Sequence, residues 1–166
     1  MQSTADRIRL FLDAVLSEAI EVARRESVPL YTFAFYHDHE SAAVSVCMDT
    51  EANSTRSVVL SNAWSNGHFR KAIDAGDLKQ ASLFQANVGR SLSLGDFALV
   101  NVARRSLPAE FRINKQFYLL MLRCVIQREV QLSRLSPLPD RLLFCCSGPQ
   151  DEVAYVWCIP PTAAEA

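Results

Sequence analysis

Residues 30–48 read LYTFAFYHDHESAAVSVCM, and this stretch decides the fold. Its first part, residues 30–36, is aromatic and largely apolar on both faces of an extended chain, which predicts a central strand rather than an edge strand. Residues 42–48 alternate valine and methionine with smaller side chains, and the polar link 37–41 joins the two segments. Two short apolar runs joined in this way predict a β-hairpin.

A long helix precedes the hairpin. Apolar residues recur at steps of three and four from Ser3 to about Glu26, which places one apolar stripe along a helix. Ser3 or Thr4 is suited to cap its first turn. A second long helix is predicted from about Asn114 to Leu135, with Asn114 as its N-cap.

Three further strands are predicted after the first hairpin. Residues 97–103 resume the strand pattern. Residues 142–146 and 153–159 flank the turn-rich link 147–152 and so predict a second hairpin. The order of these elements favours a mostly antiparallel sheet over the regular alternation of a parallel one.

Residues 49–94 are predicted to form two or three short helices, because glycine-containing turns interrupt the helical periods. Leu78, Leu83 and Phe84 are expected to face the interior. We also expect Trp64 to anchor the core, since tryptophan is more often a core residue than a partner contact.

The fold class is therefore α+β: a mostly antiparallel sheet of about five strands, in two hairpins plus one strand, packed by two long helices and short middle helices. The long helices are the N-terminal one and one in the C-terminal half. A chain of 166 residues suits one core, so residues 1–160 are expected to form a single α+β domain. The Ala-rich residues 161–166 are expected to be a flexible tail.

Composition and charge argue against nucleic acids and membranes as partners. A net charge of -1 provides no global field that would draw the chain to nucleic acid. No segment reaches the ~20 apolar residues of a membrane span, and acidic residues in the first helix exclude a signal peptide. We therefore expect a cytoplasmic protein with no nucleic-acid partner and no membrane partner.

The cysteines agree with a reducing compartment. The chain has five cysteines, an odd number, and it is large enough to fold without disulfide cross-links, so a disulfide framework is not expected. Cys124, Cys145 and Cys158 are interpreted as buried residues that behave as small apolar side chains.

The histidines carry the catalytic alternative. His37 and His39 lie two residues apart, so on a continuing strand they share a face, and His68 would complete a three-histidine metal set. With a metal bound to that set, the chain would be a small metal-dependent enzyme. The simpler interpretation is a solvated polar link, since hairpin links lie at the surface.

No catalytic signature stands in the sequence. It contains no nucleophile elbow, no Cys-x-x-Cys pair and no phosphate-binding loop. We therefore expect a binding protein rather than an enzyme, with no cofactor and no metal.

One resemblance bears on function. It is carried by four features: the opening amphipathic helix, residues 30–51, Trp64 and the closing hairpin with Trp157. Together they resemble a family of small bacterial domains among the immunity proteins encoded beside toxins. The resemblance implies a protein that binds a cognate toxin in the cytosol and blocks its active site or its access to substrate. Within it, the two hairpin links are the candidate partner-binding surfaces: His37, Asp38, His39, Glu40, Gln150, Asp151 and Glu152.

A third alternative is a self-associating adaptor subunit. The two apolar hairpins have edges that can pair between chains, which allows a homodimer.

Overall fold

The computed structural model describes residues 2–160 of the chain. Its helices and strands, in chain order, are α1 (Thr4–Arg25), β1 (Thr32–Asp38), β2 (Ala43–Asp49), α2 (Glu51–Asp74), α3 (Leu78–Ala81), β3 (Leu99–Ser106), α4 (Lys115–Gln127), α5 (Glu129–Ser133), β4 (Leu143–Cys146) and β5 (Tyr155–Trp157). Short 3-10 turns occur at 94–96 and 139–141. The predicted flexible tail, residues 161–166, lies outside the described residues.

The five strands form one mixed sheet in the order β3-β2-β1-β4-β5. Both predicted hairpins are present, since β1 pairs antiparallel with β2 and β4 pairs antiparallel with β5. The aromatic strand β1 is central, as its two apolar faces predict. One pairing is parallel: β1 runs alongside β4, with Thr32 opposite Leu143. The α+β class and the mostly antiparallel sheet are confirmed.

The main core lies between one face of the sheet and the helices α1, α4 and α5. Its largest fully buried side chains include Phe33, Phe35, Phe117, Leu12 and Met121. A smaller apolar cluster covers the opposite face, where Leu94 and Phe97 pack over the central strands. The sheet is therefore covered on both sides, as an all-apolar central strand requires.

Local side chains set the helix ends. The Ser3 hydroxyl accepts from the backbone N–H of Asp6, and the two residues form a capping box. The Asn114 side chain caps α4 as predicted. The long helix predicted over 114–135 is interrupted, because the N–H of Arg128 bonds to the carbonyl of Val125, three residues back, and the turn tightens there. Two helices, α4 and α5, result.

The middle region departs most from the sequence prediction. It forms one helix of 24 residues, α2, and the four-residue α3, in place of two or three short helices. Gly67 lies inside α2, since a single glycine costs a helix only about 1 kcal/mol. Leu78 is 76% exposed and Leu83 is also exposed, so their expected burial is wrong. Phe84 is half-buried.

Four of the five cysteines are buried, and all five are free thiols. Cys158 is exposed, which corrects its predicted burial. Burial raises the pKa of Cys145 and that of Cys146 to about 12, so both remain protonated at neutral pH.

None of the helices found between residues 2 and 160 is both long enough and apolar enough to cross a bilayer.

Candidate functional site

The two predicted partner-binding links meet at one end of the sheet. The parallel pairing of β1 with β4 places Phe35 opposite Cys146, so the residues that follow each strand emerge side by side. The backbone N–H of His37 donates to the Ser147 hydroxyl over 2.8 Å, and His39 Nε2 lies 3.2 Å from the carbonyl oxygen of Gly148. We call residues 37–40 and 147–152 together the loop edge.

His37 is buried, not solvated as the surface-link interpretation predicts. Strand β1 continues through Asp38, so the His37 ring faces α4 rather than the solvent. Its Nδ1 lies 3.0 Å from the Tyr118 hydroxyl, and its ring centroid lies 4.6 Å from that of His39. Burial, and then the neighbouring His39, lower the pKa of His37 below its ordinary value.

A neutral His37 fits these contacts. Its Nδ1 can accept from the Tyr118 hydroxyl, while the Nε2–H of His39 donates to Gly148. Burial also raises the pKa of Tyr118, which keeps the hydroxyl as a donor. The cluster therefore joins the two links to α4 through hydrogen bonds of His37 and His39.

Asp38 has a structural part in the first link. Its carboxylate accepts from the backbone N–H groups of Glu40 and Ser41, which close the turn. Arg104 of β3 donates to it over 2.7 Å. That hydrogen bond is the largest cause lowering the pKa of Asp38 to about 2. The remaining predicted residues are exposed to solvent: His39, Glu40, Gln150, Asp151 and Glu152.

The third histidine lies elsewhere, which corrects the predicted three-histidine metal set. His68 is on α2, where its ring stacks on Phe84 at 5.0 Å and contacts Trp64 at 4.3 Å between centroids. Across the described part of the chain, no three His, Cys, Asp or Glu side chains gather closely enough to hold a metal ion.

A second surface, which the sequence analysis did not identify, lies on α2. Only Ser54 and Ala72 of this 24-residue helix are buried. Its outer face carries apolar or small residues at helical spacing, and we call this set the α2 stripe: Val59, Leu60, Ala63, Trp64 and Gly67. Trp64 is 59% exposed and Leu60 is 65% exposed.

The core role expected of Trp64 is therefore wrong. Spacing of three and four residues does identify one face of a helix, but it does not say whether that face meets the sheet. In this molecule the opposite face of α2 packs on α3 and on the segment 82–93. The stripe is left open to solvent, except at its margin, where the Trp64 ring contacts Phe84.

Hydrogen bonds anchor the first half of α2 to the sheet. The fully buried Asp49 accepts through Oδ1 from the N–H groups of Thr50 and Ala98. The same oxygen accepts from the Asn53 side chain at 2.8 Å. These contacts fix where the helix leaves the sheet.

The segment 82–93 then braces the helix further along. Asn62 and Asn87 exchange two hydrogen bonds of 2.8 and 2.9 Å. Arg90 lies over the Tyr31 ring, 3.7 Å from its centroid, and donates to backbone carbonyls of Tyr31 and Arg141. The segment therefore connects the middle of α2 to the sheet.

Three cations lie on the same side of α2 as the stripe. Arg56 precedes the apolar residues, and Arg70 and Lys71 follow them. Arg56 and Arg70 donate to the neutral side chains of Asn53 and Asn66. Within residues 2–160 none of the three forms a salt bridge.

Comparisons with protein-family models, with curated proteins and with solved structures find no match to this chain.

Proposed function

We propose that this chain is a non-enzymatic immunity protein that binds a bacterial toxin in the cytosol, with the α2 stripe as its principal contact surface. One observation carries the proposal: a well-anchored helix presents a row of apolar residues to solvent. Exposed apolar patches with a polar rim are typical of protein–protein interaction sites.

The residues of the stripe suit binding. Tryptophan is among the residues that contribute most to binding energy at interfaces. The Trp64 ring packs against His68 and Phe84, so little side-chain freedom remains to be lost when a partner covers it. Because α2 is held at its N-terminal end and at its middle, its exposed surface is already ordered before a partner binds.

The toxin as partner comes from the resemblance of the hairpin and tryptophan pattern to immunity domains. Two further features support a toxin-binding role in the cytosol. Free thiols on all five cysteines are the state expected in a reducing compartment such as the cytosol. Exposed carboxylates on the loop edge give a second, acidic contact: Glu40, Asp151 and Glu152.

Co-expression tests the proposal. The chain is produced together with the protein encoded by the neighbouring gene, and cell survival and the dissociation constant of the purified pair are measured. We expect the wild type to protect, and Leu60→Asp to abolish protection and raise Kd about 30-fold or more, because a carboxylate replaces a central apolar contact.

Val130→Asp is the matched control. Val130 lies on α5 and is 66% exposed, almost the same as Leu60, but it is remote from the stripe in sequence and element. This variant is expected to protect as the wild type does. Absence of protection by the wild type would reject the immunity role, and equal protection by Leu60→Asp would reject the α2 stripe as its surface.

The loop edge is tested separately by charge reversal. Replacing Glu40, Asp151 and Glu152 by lysine is expected to slow association with the toxin and to weaken the salt dependence of the rate, since rim charges act mainly on association. Unchanged association kinetics would remove the loop edge from the interface.

A further inference from the structure

The α2 stripe has a charge pattern that specifies its occupant. Arg56 and Arg70 lie seven residues to either side of Ala63, at the centre of the stripe. At 1.5 Å per residue they are separated by roughly 21 Å along the helix axis. An apolar centre is thus bounded by a cation at each end, and Lys71 adds a second cation at the far end.

The centre of the stripe admits another helix. Ala63 and Gly67 lie one turn apart, and the space beyond the Gly67 backbone is open for 4 Å. Small residues allow two helix axes to approach closely, toward the lower end of the usual spacing of roughly 8–10 Å. The side chains of Leu60 and Trp64 project beside the shallow depression at Ala63 and Gly67. The complementary surface is therefore a helix with bulky apolar residues that face this depression.

A second copy of the chain fits this surface poorly when the two stripes are aligned on Ala63. In an antiparallel pair of α2 helices centred on Ala63, Arg56 of each copy would face Arg70 of the other. In a parallel pair each arginine would face itself. Asp74 does not relieve this alignment, because it would lie opposite Ala52. A shift of two residues would place Asp74 opposite Arg56, but it would also place Arg70 opposite Leu60 in the apolar centre. Like charges brought together across an interface are unfavourable.

We infer that the α2 stripe binds an amphipathic helix of a different protein, with an apolar face bounded at both ends by carboxylates. The inference rests on the proposed protein-binding function and adds the chemistry of the partner. Carboxylates spaced about four helical turns apart would reach Arg56 at one end and Arg70 with Lys71 at the other.

A displayed library of helical peptides provides the probe. Each peptide has leucines on one face and randomised residues at both ends, and the library is selected on the full chain after depletion on the Leu60→Asp variant. We expect the recovered peptides to carry Glu or Asp at both ends. Recovery of basic or neutral ends, or of no peptide that depends on Leu60, would overturn the inference.

Charge reversal on the chain gives the second measurement. Arg56→Glu with Arg70→Glu is expected to weaken the selected peptides at least about tenfold, and the loss should shrink at high salt. Arg123→Glu, at an exposed position on α4, is the control and should change nothing. Equal binding by the double variant would contradict the inference.

Light scattering tests the competing occupant. We expect a monomer across a wide concentration range, and a dimer that Leu60→Asp dissociates would overturn the inference in favour of a second copy. The toxin assay distinguishes the two proposals. Protection that is lost in Leu60→Asp but retained in the double arginine variant contradicts only the acidic helix, whereas absence of protection contradicts only the immunity role.

Discussion

The first hairpin and α2 are neighbours in the chain, yet they use their apolar residues in opposite ways. All but one of the fourteen residues in β1 and β2 are buried. Only two of the 24 residues of α2 are buried, although the helix contains leucine, valine, phenylalanine and tryptophan. Apolar composition therefore does not determine burial here; the layers that other elements place over each segment do.

The difference extends to what holds each region in place. The hairpin is stabilised by apolar contacts on both faces, from α1 and α4 on one side and from Leu94 and Phe97 on the other. Helix α2 is positioned by hydrogen bonds between its polar side chains and Asp49, Asn87 and Ser91. We therefore expect apolar substitutions to act on stability in the hairpin and on binding in α2.

The largest expected effect separates the two regions directly. Phe33→Ala removes a fully buried ring, and the free energy of unfolding should fall by about 3–5 kcal/mol. Leu60→Ala should change it by no more than about 0.5 kcal/mol, because the side chain is mostly in water. Urea unfolding followed by circular dichroism measures both. A loss of several kcal/mol in Leu60→Ala would show that α2 belongs to the core.

The junction between the regions gives the next effect. Asp49→Ala leaves the N–H groups of Thr50 and Ala98 without their acceptor, at an expected cost of about 1–3 kcal/mol. Asp49→Asn should cost less, since it keeps Oδ1 and replaces Oδ2, an oxygen that has no protein partner. Amide exchange should accelerate in the first turns of α2 and remain slow in β1. Equal losses for the two variants would mean that the charge, not the Oδ1 contacts, anchors the helix.

A pH-dependent effect belongs to the hairpin alone. The pKa of His37 is lowered in the folded chain, so the unfolded chain binds the proton first. This group has no effect on stability above its unfolded pKa of about 6.5, and stability falls as the pH drops from there to the folded pKa. The slope for one proton is at most about 1.4 kcal/mol per pH unit.

His37→Gln should remove that slope, while His68→Gln on α2 should leave it in place. Unfolding free energies measured between pH 7 and pH 5, taken as differences from the wild type, cancel the contribution of the carboxylates. A slope that survives in His37→Gln would assign the titration to another group.

The smallest effect concerns the link that closes the hairpin. Arg104→Met removes the hydrogen bond that does most to lower the pKa of Asp38 from its ordinary range to about 2. The pKa should rise toward about 3.9. The lowered pKa stabilises the fold above about pH 4, and this contribution disappears as the pH falls through about 2, so the loss appears at neutral pH and is at most about 1 kcal/mol. Carboxyl titration by NMR measures the shift, and an unmoved pKa would assign it to the turn N–H groups.

The sequence predicts those parts of the fold that depend on neighbours in the chain. Both hairpins, the central position of β1 and the caps at Ser3 and Asn114 follow from local patterns. The parallel pairing of β1 with β4 joins residues about 110 apart, and no local pattern indicates it. The single long α2 does not follow from the local pattern, because the turn signal at Gly67 competes with the helical period around it.

The candidate site was predicted in part for the same reason. The residues of both links were identified from their polarity and position, but their meeting depends on the β1–β4 pair. The burial of His37 does not follow from the local sequence, because it depends on the length of β1 and the placement of Tyr118. Exposure of Trp64 depends on which elements pack against α2, and the sequence pattern alone does not contain that information.

The β1–β4 pair also sets an order of events on the ribosome. The first hairpin is complete once residue 49 has emerged, but one edge of β1 has no partner until residues 143–146 are made. At ordinary rates of synthesis that interval lasts on the order of ten seconds. Throughout it the nascent chain presents an aromatic strand with an open edge, the kind of surface that pairs with other chains. Crowded polysomes or low levels of chaperones should therefore lower the yield of this protein during synthesis. Heating should lower the yield less, because in the finished chain β4 already covers that edge.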